Sequence, residues 1–344
     1  MSAQNPTPPG ADQPLSRTLI SSERFGQIDP LPVRILEEAG VELLRNPYGR
    51  LLDESDMKEL IAGCDSVIGG AEPLTAAVMD SSPELRFISR CSVGLDSVDL
   101  LAARKRGIPV SYVPGTNTGA VTELTVSHVL SLLRGVKESD TSLRGGTWKR
   151  VMGRSLEELI VGIIGVGRIG KRVACHLAAF GAKIIANDID PDKAFGEELG
   201  IEWVEKDRLF READVICLHV PATPLTRGMV GRGALASMKA ETILINTARG
   251  GLIDEAALAE ALRSGKLGGA ALDVFEREPY AGELTEIDNC ILTCHMGANS
   301  RSSRMRMETQ AVENLLCFLK GEPVPRLVPD SEYDIQAMDN HSGR

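Results

Sequence analysis

The sequence predicts an α/β protein with two doubly wound domains, each built on a parallel sheet that is covered by helices. Short apolar runs alternate with helical patterns along most of the chain, which is typical of parallel sheets. Near the middle, a Gly-x-Gly-x-x-Gly motif stands between an apolar run and a helical pattern. The stretch PGTNT at residues 114–118 interrupts the alternation and predicts a hinge between the domains.

The first predicted domain covers residues 17–113. The segment before it, residues 1–16, is rich in proline and polar residues, and we expect it to be disordered. Strands are predicted at residues 18–21, 41–44, 66–68, 85–89 and 109–113. Helices are predicted between them at residues 31–39, 53–64, 75–79 and 96–106. Gly40 and Gly107 directly follow two of these helices, where glycine commonly ends a helix.

The second predicted domain covers residues 114–299. It opens with a long amphipathic helix at residues 119–144. Strands are predicted at residues 161–164, 183–186, 201–204, 215–219, 242–246, 270–274 and 291–293. We expect a last helix, at residues 302–319, to return to the first domain, which then also includes residues 300–330 and is discontinuous. Residues 331–344 are expected to be disordered.

The central motif has the features of a dinucleotide-binding fingerprint. An apolar run at residues 161–164 leads into it, and a helical pattern follows at residues 168–180. The first glycine permits a tight turn, the second lets a pyrophosphate approach the backbone, and the third lets helix and strand pack closely. Amides at the start of the helix attract the phosphates. We expect these residues to bind the dinucleotide: Gly165, Gly167, Arg168, Ile169 and Gly170.

An acidic residue follows the next predicted strand. Asp188 lies 18 residues after Gly170, where a carboxylate accepts hydrogen bonds from an adenosine ribose and repels a 2′-phosphate. Asp190 adds negative charge, and no arginine lies between residues 182 and 207. The alternative, in which Asp188 is a solvated turn residue, is less consistent with the spacing. The pattern therefore predicts NAD rather than NADP.

Composition and charge argue against several classes of partner. The formal net charge is −10, with 38 basic and 48 acidic residues, so nucleic acids and anionic membranes are poor candidates. No apolar run reaches about 18 residues, and the N-terminus lacks a signal-peptide core. The seven cysteines are scattered without a CxxC motif, which is typical of thiols in a reducing compartment. We therefore expect a soluble, cytoplasmic protein.

Two residues near strand ends are candidates for substrate binding or catalysis. Arg249 follows the predicted strand at residues 242–246, at the sheet edge where ligands bind in open α/β sheets. A guanidinium there can bind a carboxylate through two hydrogen bonds, although a single arginine is more often part of a surface ion pair. His295 follows the strand at residues 291–293, and an isolated histidine can equally be structural.

A catalytic histidine needs a carboxylate that fixes its tautomer and keeps it basic near neutral pH. Glu278, in the acidic segment after the strand at residues 270–274, is the candidate. Cys290 and Cys294 beside His295 could be interpreted as a metal site, but they flank a strand-like ILT segment. We predict no metal.

Four motifs now carry a resemblance to a known family. GVGRIG with Asp188, INTARGG, LDVFEREP and TCHMG, in this order, resemble the NAD-dependent D-2-hydroxyacid dehydrogenases, and within them most of all the short-form phosphoglycerate dehydrogenases. The resemblance covers residues 17–325. It implies a Rossmann-type NAD domain inserted in a flavodoxin-like substrate domain. It also implies a homodimer, because the long helix after residue 118 commonly packs against a partner subunit in this family.

The implied activity is hydride transfer between NAD(H) and a D-2-hydroxyacid or 2-oxoacid, as in phosphoglycerate dehydrogenases or hydroxypyruvate and glyoxylate reductases. By this resemblance Arg249 binds the substrate carboxylate, His295 is the general acid or base, and Glu278 orients it. The amides of Val93 and Gly94 contribute to carboxylate binding from the first domain. The further cofactor contacts that the resemblance implies are His219, Val220, Pro221, Thr226, Thr247, Ala248 and Asp273, the last at the nicotinamide carboxamide.

The sequence also departs from the family pattern. Cys294 stands where the family usually has proline. The loop at residues 69–73 lacks the arginine that some phosphoglycerate enzymes place near the substrate phosphate, which argues against phosphoglycerate itself. Too few residues follow residue 330 for the regulatory domain of long forms, so we do not expect feedback by serine.

Two alternatives stay open. An NAD-sensing binding protein, like the transcriptional co-repressors that share this fold, would keep the cofactor site and act through a protein partner. Formate dehydrogenases share the fold but have glutamine at the position of Glu278, so Glu278 argues against that activity.

Overall fold

A computed structural model describes residues 14–342, and the chain divides into two compact units. The first unit holds the residues up to Asn117 and those from Ser300 onward, and the second is Thr118–Asn299. The second unit therefore begins at Thr118, and residues 114–117 belong to the first unit, where the Thr116 hydroxyl donates to the Val113 carbonyl at 2.7 Å. The expectations for residues 1–13 and 343–344 lie outside the described residues.

The first unit contains a five-stranded parallel sheet. Its strands are β1 (Ser16–Ile20), β2 (Val41–Arg45), β3 (Ser66–Gly69), β4 (Phe87–Arg90) and β5 (Val110–Ser111). The helices between them are α1 (Leu31–Glu38), α2 (Glu54–Ile61), α3 (Ala76–Asp80) and α4 (Leu100–Lys105). The strand order is β2-β1-β3-β4-β5, the flavodoxin-like order. β3 and β4 are buried at every position, as expected for strands covered on both faces.

The second unit contains a seven-stranded parallel sheet. Its strands are β6 (Ile160–Ile164), β7 (Lys183–Asn187), β8 (Glu202–Trp203), β9 (Val215–Leu218), β10 (Ile243–Asn246), β11 (Gly269–Leu272) and β12 (Cys290–Leu292). Its helices are α5 (Thr118–Leu133), α6 (Val136–Arg144), α7 (Arg168–Ala179), α8 (Lys193–Leu199), α9 (Lys206–Glu212), α10 (Arg232–Ser237) and α11 (Glu255–Arg263).

The strand order in the second unit is β12-β11-β10-β9-β6-β7-β8. Counted from β6, this is the Rossmann order with one extra strand at the edge. The order reverses at β6, which pairs with both β7 and β9, and ligands of such sheets bind at the carboxyl ends of the strands beside that point. The prediction of two doubly wound parallel-sheet domains is confirmed.

The prediction of a single long helix at residues 119–144 is wrong. The structure has two helices, α5 and α6, separated at Gly135, which adopts φ +58°. A Cβ atom at Gly135 would lie 2.4 Å from Cγ1 of Val151, so the returning chain packs directly against the break. No proline interrupts residues 119–144, and Gly145 follows them, which is why the sequence suggested one helix.

The predicted disorder at both ends of the chain is also wrong where the structure describes it. Ser16 begins β1. After α12 (Arg301–Leu319), residues 330–342 form helix α13 (Asp330–Ser342). Tyr333 of this helix is buried, with the Arg104 guanidinium 3.7 Å above its ring. Gln336 also donates to the Val98 carbonyl at 2.7 Å and accepts the Leu101 amide at 3.2 Å. The polar composition of the segment gives no indication of these contacts. Among residues 14–342, no helix is long and apolar enough to cross a membrane.

Candidate active site

The glycine motif lies where β6 turns into α7. Gly165 adopts φ +91°, and a Cβ atom there would lie 2.7 Å from the carbonyl oxygen of His219. A Cβ atom at Gly170 would lie 2.0 Å from the Gly165 carbonyl oxygen. An added Cβ at Gly167 meets no atom within 4 Å. The first and third glycines are therefore required by packing, and the second leaves the backbone at the start of α7 accessible, as a pyrophosphate requires.

Asp188 follows β7 and supports the glycine turn. Its Oδ2 accepts the Val166 amide at 2.6 Å, and its Oδ1 accepts the Asp190 amide at 3.0 Å. Each carboxylate oxygen can accept a further hydrogen bond, such as those from the hydroxyls of a ribose. The position and chemistry of Asp188 thus fit the adenosine end of NAD.

His219 follows β9, on the other side of the same switch point. Its Nε2 is buried without a hydrogen-bond partner, and burial lowers the pKa of His219 to about 4. A buried polar atom without a partner is costly, and a ligand at this edge would give it one. The glycine turn, Asp188 and His219 together fit a dinucleotide.

Other predicted cofactor residues lie around this edge of the second unit. Val220 is close to the turn, since its Cγ1 would lie 2.7 Å from a Cβ at Gly165. The Thr226 hydroxyl donates to the Pro221 carbonyl at 2.6 Å. Thr247 is buried and its hydroxyl lies 2.8 Å from that of Thr125. The remaining residues of the set are Arg168 and Ile169, in the first turn of α7, and Ala248, in the loop after β10.

The three predicted catalytic residues follow neighbouring strands. Arg249 comes after β10, Glu278 after β11 and His295 after β12, and these strands pair in parallel. Nδ1 of His295 lies 2.6 Å from Oε2 of Glu278, and Oε1 of Glu278 accepts the Phe275 amide at 3.0 Å. Because a carboxylate can only accept, the proton lies on Nδ1. Nε2 of His295 is left to exchange a proton with a ligand.

The charges around His295 favour its protonated form. The hydrogen bond to Glu278 raises the pKa of His295, burial opposes it, and the charges of Glu278 and Asp273 raise it further. The positive charge of Arg249 acts in the opposite direction. Burial would raise the pKa of Glu278, but the hydrogen bonds from His295 and the Phe275 amide outweigh it and lower that pKa. Arg249, Glu278 and His295 thus lie at the carboxyl ends of three neighbouring strands, at one edge of the sheet.

The loop that carries His295 is held by Asp273, which is only 1% exposed. The Asp273 carbonyl accepts the His295 amide at 2.8 Å, and its carboxylate accepts the amides of Met296 and Gly297 at 2.9 and 2.8 Å. His295 has φ +48°, a conformation that costs a residue with a side chain roughly 1–3 kcal/mol. The sequence did not reveal this function of Asp273, because an aspartate at a strand end gives no indication of which amides it accepts.

Val93 and Gly94, the predicted substrate-binding residues, belong to the first unit. They lie in the loop after β4, where the Ser92 hydroxyl contacts the carbonyl oxygens of Gly70 and Gly94 at 3.3 and 3.2 Å. Glu72, which is buried, accepts the Gly70 amide at 2.5 Å. No pattern in the sequence indicates that Glu72 is a buried support of this loop.

No group of three histidine, cysteine or acidic side chains within residues 14–342 is arranged to hold a metal ion. Cys290 is buried, and burial raises its pKa to about 12, whereas Cys294 is exposed.

Comparison with known proteins decides the family. Residues 126–297, which cover nearly all of the second unit, match the family model described as "D-isomer specific 2-hydroxyacid dehydrogenase, NAD binding domain". The chain belongs to this 2-hydroxyacid dehydrogenase family. The resemblance inferred from the four motifs is confirmed, and the second unit is the NAD-binding domain.

Relatives in this 2-hydroxyacid dehydrogenase family span several substrates. The chain is 39% identical over 286 residues to the D-3-phosphoglycerate dehydrogenase of Mycobacterium leprae, a match that covers 81% of this chain and 54% of that protein. It is 37% identical over 279 residues to the glyoxylate reductase of Korarchaeum cryptofilum, covering 78% of this chain and 84% of that protein. The chain thus spans about half the length of the phosphoglycerate dehydrogenase.

A solved member of the 2-hydroxyacid dehydrogenase family has the same fold. The D-lactate dehydrogenase of Aquifex aeolicus, complexed with NAD and lactic acid, is 28% identical and superposes with a TM-score of 0.81. The match covers 90% of this chain and 98% of that one.

Proposed function

We propose that this protein is an NAD-dependent D-2-hydroxyacid dehydrogenase, which interconverts a D-2-hydroxyacid and its 2-oxoacid. The observation that carries the proposal is the His295–Glu278 pair, with Nδ1 and Oε2 2.6 Å apart, beside Arg249 at the carboxyl edge of the NAD-binding domain. The names of the relatives, which cover phosphoglycerate, glyoxylate and lactate, support the same reaction class.

Each residue then has a distinct task. NAD(H), when bound, supplies or accepts the hydride. Arg249 binds the substrate carboxylate through the two prongs of its guanidinium. Nε2 of His295 donates a proton to the keto oxygen in reduction and removes it from the hydroxyl in oxidation. Glu278 holds the ring by Nδ1 and stabilises the protonated form.

The cofactor and substrate contacts are part of the same proposal. Asp188 binds the ribose, and Asp273 contacts the nicotinamide carboxamide with the acceptor capacity left on its carboxylate. The amides of Val93 and Gly94 bind the substrate carboxylate. The remaining cofactor contacts are Gly165, Gly167, Arg168, Ile169, Gly170, His219, Val220, Pro221, Thr226, Thr247 and Ala248.

A substrate panel tests this function. NADH consumption is measured with 3-phosphohydroxypyruvate, hydroxypyruvate, glyoxylate, pyruvate and larger 2-oxoacids. We expect turnover with at least one of them. Tight NADH binding without turnover on any of them would refute the proposal and favour an NAD-sensing binding protein.

Replacing Glu278 with glutamine should move the pH dependence of reduction to lower pH. His295 must carry a proton to act as the acid, so reduction is active below its pKa and is lost as the pH rises through it. Glu278 raises that pKa, and glutamine removes its charge. The measurement is kcat/KM against pH, with Glu283→Gln at an exposed ion pair as the control. An unchanged midpoint in Glu278→Gln would contradict the pairing.

We also infer that the protein is a homodimer. Helix α6 has no buried residue, and apolar side chains on it and in the following segment are exposed: Val136, Leu143, Trp148 and Met152. Trp148 is 79% exposed and Met152 95%, and exposed apolar groups of this kind mark contact surfaces.

Light scattering tests the homodimer. We expect the wild type to have the mass of two chains and the Trp148→Glu variant the mass of one. Tyr48→Glu, at another exposed aromatic residue, should stay dimeric. A monomeric wild type would contradict this inference.

We place the protein in the cytoplasm. All seven cysteines of the chain lie in the described part, and all seven are free thiols. Unpaired cysteines in this number are typical of proteins kept in a reducing compartment.

A further inference from the structure

A chain of side-chain hydrogen bonds runs from helix α5 to the loop of His295. Nε2 of His128, on α5, lies 3.2 Å from Oγ1 of Thr293. Oγ1 of Thr293 donates to Oδ1 of Asp273 at 2.6 Å. The same carboxylate accepts the two backbone amides that directly follow His295. His128 is thereby linked through two side chains to the backbone of the proposed acid–base residue.

The direction of these hydrogen bonds follows from the groups involved. The Thr293 hydroxyl has one proton, and the carboxylate of Asp273 can only accept, so that proton points to Asp273. Thr293 must then accept from an Nε2–H group of His128. His128 is 4% exposed, and burial lowers its pKa against the opposing charge of Asp273. A neutral His128 with its proton on Nε2 therefore completes the chain.

The loop needs such support. Within residues 14–342, His295 is the one residue other than glycine with a positive φ, and a side chain disfavours that conformation. A Cβ atom at Gly297 would lie 3.1 Å from Oδ2 of Asp273 and 3.3 Å from Cγ2 of Val121, so the turn packs closely on the carboxylate and on α5. A rotation of the Asp273 carboxylate would release both amides of the turn.

We propose that His128 and Thr293 are positioning residues for His295. They hold the Asp273 carboxylate in the orientation that binds the turn after His295, and so keep the imidazole in place against Glu278. Neither residue belongs to the glycine motif, the acid–base pair or the carboxylate-binding set. The inference rests on the proposed function, and the experiment below distinguishes a failure of the inference from a failure of the proposed function.

The test compares variants that remove or keep each donor. Thr293→Val removes the hydroxyl at constant shape, and Thr293→Ser keeps it. His128→Met removes the ring donor, and His128→Gln places an amide N–H near the position of Nε2. We expect Thr293→Val to lower kcat about tenfold, as the loss of one buried hydrogen bond would, with KM nearly unchanged. Thr293→Ser should recover most of the kcat that Thr293→Val loses, and His128→Gln most of the kcat that His128→Met loses.

Two readouts distinguish positioning from simple stabilisation. Because His128 acts through Thr293, the double variant His128→Met/Thr293→Val should be no slower than Thr293→Val alone. Glu278, Asp273 and Arg249 are the charged groups that act on His295. Asp273 raises the pKa of His295. A rotation of the Asp273 carboxylate in Thr293→Val should therefore shift the pH midpoint of reduction downward.

Thr242→Val is the matched control. Thr242 is fully buried at the opposite end of the sheet, directly before β10, and its hydroxyl donates to the Ala213 carbonyl at 3.0 Å. This variant should lower Tm but leave kcat and the pH midpoint unchanged.

The inference is overturned if Thr293→Val changes only Tm, or if the single effects add in the double variant. If Thr293→Val does not fold, His128→Met against His128→Gln decides the question with the same readouts. A wild type without turnover would refute the proposed function. If the wild type is active and Thr293→Val has the same kcat and pH midpoint, only this inference is refuted.

Discussion

Replacing His295 with alanine is expected to lower the turnover number by about 10²–10⁴-fold in both directions, the usual contribution of a positioned acid–base group. The loss should be large because Nε2 of His295 is the proton donor and acceptor of the proposed reaction, and the hydrogen bond to Glu278 raises the pKa of His295. Steady-state rates of reduction and oxidation measure it. NADH affinity should change little, since the glycine turn and Asp188 lie at the other end of the cofactor site.

His176→Ala is the control for this variant. His176 is an exposed histidine on α7 of the same unit, and its replacement should leave the rates unchanged. Wild-type turnover in His295→Ala would remove His295 from the mechanism.

Replacing Arg249 with lysine is expected to weaken the binding of the 2-oxoacid by about 10–100-fold. A lysine keeps the charge but cannot form the two parallel hydrogen bonds of a guanidinium, and a hydrogen bond to a charged group contributes about 1.5–3 kcal/mol. The effect should appear mainly in KM, and NADH affinity should be retained. The measurement is the initial rate of NADH consumption against the concentration of the best 2-oxoacid.

Arg263→Lys is the matched control for this second variant. Arg263 ends α11 and pairs with Glu283 at the surface, so its replacement should leave KM unchanged. Equal affinity of wild type and Arg249→Lys for carboxylate substrates would exclude Arg249 as their binding residue.

The parts of the fold that depend on local pattern could be predicted from the sequence. β6, the glycine turn and α7 are adjacent in the chain, and the spacing of the three glycines indicates the turn directly. Asp188 could be found because its distance from the motif is set by one helix and one strand. Arg249, Glu278 and His295 could be found because parallel strands bring their carboxyl ends to one edge.

Features that depend on distant contacts could not be predicted. The break at Gly135 packs against Val151, and helix α13 is held by the buried ring of Tyr333 and by the hydrogen bonds of Gln336. The link from His128 to Asp273 joins residues 145 positions apart in the sequence, on elements whose pairing only the folded chain reveals. A buried histidine on an apolar helix gives no indication of the hydroxyl that it contacts.

The stereochemistry of oxidation distinguishes a D-2-hydroxyacid dehydrogenase from an enzyme of the opposite specificity and from a binding protein. Purified protein is mixed with NAD and with the D- and L-enantiomers of the hydroxyacid that corresponds to its best 2-oxoacid with a chiral product, since glycolate, the product of glyoxylate, has no stereocentre. NADH formation is followed at alkaline pH, because raising the pH favours the deprotonated form of His295 that acts as the base. We predict NADH formation with the D-enantiomer and none with the L-enantiomer. Preferential oxidation of the L-enantiomer, or no NADH formation with either enantiomer, would contradict the proposed D-2-hydroxyacid dehydrogenase activity.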